Sequence, residues 1–142
     1  MIPDILIVED NAADITLLRR AIKKVSPSSL IVTIMGGARA WDYLQTVSPK
    51  AVVLDLILPG MDGMEILKKM RKDPNLVNTP VVILTGVWEE DIENECRVLG
   101  VMTYVKKPDQ RYLSDVVRQI VLHAIRGTLN QSMAIMSGLR GK

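Results

Sequence analysis

Two short runs of branched apolar residues each end in acid: Asp55 closes Ala51-Val52-Val53-Leu54, and Glu9-Asp10 closes Ile5-Leu6-Ile7-Val8. If both runs are parallel strands of one sheet, three carboxylates meet at one edge. Two such charges about 4 Å apart repel by roughly 4 kcal/mol at an effective dielectric near 20, so the cluster favours a hard divalent cation. Mg²⁺ suits it, being small, oxygen-seeking and content to keep several waters. An Asp is also a competent nucleophile toward phosphorus, forming an aspartyl phosphate. Thr85-Gly86 and Lys107-Pro108 follow two further apolar runs. A hydroxyl and an ammonium at that edge could hold the other oxygens of a transferring phosphoryl group, while a metal neutralises its charge.

The elements that must position these groups follow from periodicity. Short apolar runs alternate with amphipathic stretches five times, the pattern of a parallel sheet covered by helices on both faces. Strands are expected over residues 4–8, 30–35, 51–54, 81–84 and 102–105, with the third and fourth, continuous in Val, Ile and Leu, at the centre. Between them Ile15, Leu18, Ile22 and Val25 share a helical face, as do Ile92, Cys96 and Leu99. Leu113, Val116, Val117, Ile120, Val121 and Ala124 form the fullest stripe. Asn11 with Asp14 can cap the first helix, Pro27 and Pro49 end connections, and Pro59-Gly60 precedes the third helix. Right-handed crossovers put every strand-to-helix loop on one edge of such a sheet, where the ligand site of open α/β folds lies.

Bulk properties set the frame. A chain of 142 residues fits one domain and a tail, and 48% hydrophobic with 24% charged residues is a soluble globular composition. A net charge of +2 gives no argument for a nucleic-acid or membrane surface. The single cysteine, Cys96, excludes an internal disulfide and reads as core. No apolar run approaches the roughly 20 residues that cross a bilayer, and Asp4, Glu9 and Asp10 interrupt any signal peptide. The expected compartment is the cytoplasm.

Val8-Glu9-Asp10-Asn11, Leu54-Asp55, Pro59-Gly60-Met61-Asp62-Gly63, Leu84-Thr85-Gly86 and Tyr104-Val105-Lys106-Lys107-Pro108 together resemble the motifs of the receiver domain of two-component response regulators. The resemblance implies a flavodoxin-like doubly wound sheet of order 2-1-3-4-5 with five helices. It implies that Asp55 accepts a phosphoryl group from a histidine kinase or phosphotransfer protein. Glu9, Asp10, Asp55 and the backbone carbonyl of Ile57 would hold Mg²⁺, Lys107 would be the family's lysine, and Thr85 and Tyr104 the switch pair. In the family the aromatic ring turns inward and alters the surface of the fourth helix, fifth strand and fifth helix, which a downstream protein reads. Such a domain catalyses chemistry only on itself.

Each residue also has a plainer reading. Asp55 and Thr85 could cap helices, Lys107 could be a surface lysine, and Tyr104 could pack on the last helix. Lys106 is the neighbouring decoy, which strand alternation sends to the opposite face. His123 reads as an ordinary residue of the last helix, Trp88 as a packing residue or a partner contact, and Glu89, Glu90 and Asp91 as acids favouring a helix N-terminus. A haloacid-dehalogenase type enzyme needs a second acid where Ile57 stands, and a mononucleotide binder would not place Glu9-Asp10 beside a phosphate. A receiver-like scaffold without phosphorylation, and a receiver cut from a larger kinase or regulator, are the alternatives. Ile57 and Val87, two residues beyond Asp55 and Thr85, cannot orient water, so a long-lived phosphoryl state is expected. The receiver is assigned to residues 1–126 and an extension, helical or disordered, to 127–142, with no fused DNA-binding module. A second stripe of Leu122, Ile125, Leu129, Met133 and Met136, interrupted at Gly127, could pack against a second copy of the chain or against a partner.

Overall fold

The computed structural model describes residues 2–107 together with residues 117, 118 and 120–122. Five strands form: β1 (Ile5–Val8), β2 (Ile31–Ile34), β3 (Ala51–Leu54), β4 (Val81–Thr85) and β5 (Thr103–Lys106). All pairs are parallel and the order is β2-β1-β3-β4-β5, the flavodoxin-like arrangement. β3 is central, β1 and β4 flank it, and every residue of these three is buried. β4 runs one residue further than expected and β5 lies one residue later, because Thr85 pairs in register with Lys106.

Between the strands lie α1 (Ala12–Val25), α2 (Gly37–Leu44), α3 (Gly63–Lys72) and α4 (Glu90–Val98). Asn11 Oδ1 accepts the Asp14 amide at 3.0 Å to start α1, and Asp62 Oδ1 accepts the Glu65 amide at 2.8 Å to start α3. Glu90, Asp91 and Glu93 fill the first turn of α4, favourable to its dipole. A fifth helical stretch is represented by Val117, Arg118, Ile120, Val121 and Leu122. The rest of the last stripe (Leu113, Val116, Ala124), His123, Pro108 and the tail with Ile125, Leu129, Met133 and Met136 lie outside the described residues.

Strand parity divides the core into two layers. Leu6, Val8, Val52, Leu54, Val81, Ile83 and Tyr104 face α2, α3 and α4, packing with Leu44, Ile66, Met70 and Cys96. Ile5, Ile7, Val53, Val82 and Leu84 face α1 and the last helical stretch, packing with Leu18, Ile22, Val117, Ile120 and Val121. Burial pushes the Cys96 thiol up to about 11, with Glu95 and Glu93 adding to it, so this residue acts as a small hydrophobe. One expectation changes, and one plainer reading is excluded. Val25, the last residue of α1, is 42% exposed because the helix ends beyond the apolar layer. Tyr104 lies on the α4 side of the sheet, opposite the layer that holds Val117 and Ile120.

At the edge away from the strand ends, one guanidinium ties two loops together. Arg71 of α3 donates through Nε to the Leu99 carbonyl at 2.6 Å, through Nη1 to Thr79 at 3.0 Å and Val77 at 3.3 Å, and through Nη2 to Gly100 at 3.4 Å. Its planar fork serves both the α3–β4 and α4–β5 connections, which a lysine cannot match. Arg71→Met keeps the aliphatic stem and strands these carbonyls. The expected loss is about 1–3 kcal/mol, read as a lower urea midpoint at unchanged slope. An unchanged midpoint would show that water replaces the guanidinium fully.

Candidate functional site

The carboxyl ends of β1, β3, β4 and β5 converge. β1 places Glu9 at its end, where the side chain is 2% exposed and Oε1 accepts the amides of Asp10 at 3.1 Å and Asn11 at 3.0 Å. β3 delivers Asp55, 6% exposed, whose own amide bonds the Val8 carbonyl at 3.0 Å and so locks the two strand ends together. Asp55 Oδ1 accepts the Ile57 amide at 3.0 Å. From the end of β5 the Lys107 amide bonds the Thr85 carbonyl at 2.8 Å, which aims the lysine back across the site.

Lys107 Nζ meets Glu9 Oε2 at 2.5 Å, Asp14 Oδ2 at 2.8 Å and Asp55 Oδ2 at 3.0 Å. Burial works against its charge, but hydrogen bonds to Asp14, Glu9 and Asp55 outweigh that and hold its pKa above the ordinary lysine value. Lys107 is charged at every working pH. Burial also pushes the Glu9 carboxyl up to about 7, against the bonds from Lys107 and the Asn11 amide and with the charge of Asp55. One ammonium is too little charge for the three carboxylates it meets, with Asp10 beside two of them.

That surplus, with its donor chemistry, is the test of whether a metal fits. Single oxygens of Glu9, Asp10 and Asp55 lie within 4.8 Å of one another, two of these residues buried and Asp10 open to solvent. Three hard oxygens with one side open suit an ion that keeps part of its hydration. The donor set fits Mg²⁺ or Mn²⁺.

Thr85 is fully buried and its Oγ1 accepts the Val87 amide at 3.4 Å. Tyr104, 8% exposed, has its ring turned inward and its hydroxyl donates to the Val87 carbonyl at 2.5 Å. One residue of the β4–α4 loop thus bonds both members of the expected switch pair. The β3–α3 loop is tied in as well, through the Gly37 amide of α2 on the Pro59 carbonyl at 3.1 Å.

A family model for the response regulator receiver domain matches residues 5–118. The chain belongs to that family. Among relatives of this receiver, the two-component response regulator ARR17 of Arabidopsis thaliana is 35% identical, the match covering 79% of this chain and 78% of that protein. The response regulator Rcp1 of Synechocystis sp. is 32% identical over 82% of each chain. The Mn²⁺-bound form of Rcp1 superposes with a TM-score of 0.68 at 31% identity, covering 83% of this chain and 91% of that one. The phosphorylated cyanobacterial phytochrome response regulator RcpA superposes with a TM-score of 0.76 at 32% identity, covering 88% of this chain and 95% of that one.

The receiver brings Glu9, Asp10, Asp55, Thr85 and Lys107 to one edge, leaves Lys106 exposed, and places Ile57 beside them with a side chain 60% exposed. Asp14 is the residue that sequence reasoning did not assign to the site. Its only signal is its place one helical turn after Asp10, on the face that the helix start turns toward the strand ends. No described helix is long and apolar enough to cross a membrane.

Proposed function

We propose that this receiver takes a phosphoryl group onto Asp55 from a histidine kinase or phosphotransfer protein and presents the change to a downstream protein. Mg²⁺ would be held by Glu9, Asp10, Asp55 and the backbone carbonyl of Ile57. The observation that carries the reading is the single ammonium of Lys107, bonded at once to the carboxylates of β1 and β3. The manganese-bound and phosphorylated relatives support it. Residues 1–126 form the working unit, and its chemistry is confined to itself.

An Asp55 oxygen attacks phosphorus, the P–N bond to the donor histidine breaks, and the imidazole leaves with that bond's electrons. The Ile57 amide and the Lys107 ammonium, one on each Asp55 oxygen, keep the carboxylate in a single orientation for this attack. When bound, the metal neutralises charge on the phosphoryl oxygens. Lys107 then pairs with an oxygen of the new group, and the Thr85 hydroxyl, released from the Val87 amide, supplies another donor. Rearrangement at Val87 reaches Tyr104 through its hydroxyl and hence the surface of α4, β5 and the helix that follows. Trp88, 54% exposed in the same loop, lies where a partner would meet that surface.

The decisive experiment supplies acetyl phosphate and Mg²⁺ and weighs the intact protein. One added phosphoryl group, sensitive to hydroxylamine and abolished by EDTA, is the expected result. No gain in mass would leave the scaffold reading in its place. Once formed, the acyl phosphate has the apolar side chains of Ile57 and Val87 as neighbours, and neither offers a polar atom to an attacking water. Its lifetime is expected to run to many minutes, and Val87→Glu should shorten it severalfold in a pulse-chase measurement. Decay within seconds in the unaltered protein would refute this.

A further inference from the structure

Lys107 has three ammonium hydrogens and three carboxylate partners, so every hydrogen is committed. Pairing with a phosphoryl oxygen requires one of these bonds to be given up, and the three are not equivalent. Glu9 is 2% exposed and its second oxygen is pinned by two backbone amides. Asp55 takes the phosphoryl group on one oxygen and keeps its other oxygen as an acceptor for Lys107. Asp14 is different: its side chain is 31% exposed, it stands on α1 rather than at a strand end, and it is outside the acidic trio of Glu9, Asp10 and Asp55. Water can take the place of Lys107 at Asp14 at little cost, which is not true of buried Glu9.

We infer that Asp14 is a positioning residue that competes with the phosphoryl group for Lys107 and thereby restrains phosphorylation of Asp55. This inference rests on the function proposed above. Two effects share its sign. The Asp14–Lys107 bond is present in the resting state and yields when the lysine turns to the phosphoryl group, so it stabilises the resting state selectively. The Asp14 charge, near enough to share one ammonium with Asp55, also opposes the negative charge that phosphorylation adds. Because the α1 cap uses the Asp14 amide and not its carboxylate, the side chain can be altered without removing the cap.

The test compares the intact chain with Asp14→Asn and Asp14→Glu, using acetyl phosphate and saturating Mg²⁺. Asp14→Asn is expected to raise the initial rate and final extent of phosphorylation about three- to tenfold, the size of one partly exposed charge-assisted bond. Asp14→Glu, which keeps the charge and can reach the ammonium, is expected to return both values toward the original. Placed on a Lys107→Ala background, Asp14→Asn should lose most of its effect, which a role confined to helix stability would not do. If the unaltered chain is phosphorylated and Asp14→Asn is equal or slower, Asp14 does not restrain the reaction. If neither chain takes up phosphoryl, the receiver reading fails first and this inference falls with it. An equal gain with and without Lys107 would assign the effect to charge alone and overturn the competition.

Discussion

The Asp55→Asn protein, treated with acetyl phosphate and Mg²⁺, is expected to show no added mass and to remain folded. An amide oxygen has neither the charge nor the basicity to attack phosphorus, so the loss should be complete within detection. The fold should tolerate it because the replacement is isosteric at a buried strand end. Lys107 keeps Glu9 and Asp14 as partners, and one negative charge leaves a crowded cluster. Thermal unfolding of the metal-free variant should therefore occur at the same temperature as the parent or higher. Mg²⁺ should raise the midpoint of the parent more than that of the variant, since a ligand at 100 times its Kd adds about 2.7 kcal/mol only where the site is intact. Phosphorylation of the Asn variant at the parental rate would remove Asp55 as the acceptor.

Gly63→Ala is expected to damage both fold and site through a single methyl group. Gly63 opens α3, and its amide bonds the Leu56 carbonyl at 2.9 Å. A Cβ there would lie 2.0 Å from the Asp55 carbonyl oxygen and 2.7 Å from the Leu56 Cα. Both obstacles are backbone, so α3 must retreat or the end of β3 must shift. Either movement costs about 1–3 kcal/mol or more and displaces the carboxylate of Asp55. A lowered unfolding midpoint together with slower phosphoryl uptake is the expected pair of results. Gly86→Ala is the control, because a Cβ at Gly86 meets nothing within 4 Å. Equal behaviour of the two variants would show that the β3–α3 junction yields more easily than its contacts indicate.

Much of this was legible from residue order. Acid at the end of the β1 and β3 runs, the Thr85 hydroxyl after β4 and a lysine after β5 are local facts, and parallel topology alone gathers them. The choice of Lys107 over Lys106 followed from alternation along β5, and the structure has Lys106 exposed. What stayed hidden depends on how whole elements are oriented. Asp14 looked like half of a helix cap because its carboxylate finds Lys107 only once α1 is docked at a particular rotation against the strand ends. Arg71 reads as one of three basic residues in the last turn of α3, and nothing nearby in sequence shows that it reaches carbonyls 28 and 29 positions away. Tyr104 was within reach of inference: register sets it against Ile83, and Ile83 belongs to the layer packed on α3 and α4.

The Arg71 clamp has a mechanical consequence. It grips the Leu99 and Gly100 carbonyls, so α4, about 14 Å long by its nine residues, is pinned at its C-terminal end. Its other end begins three residues after Val87, whose carbonyl accepts, among the described residues, one side-chain hydrogen bond, from Tyr104. A change at Val87 is then expected to tilt α4 about the end that Arg71 holds, with the widest arc at the turn nearest the acidic edge.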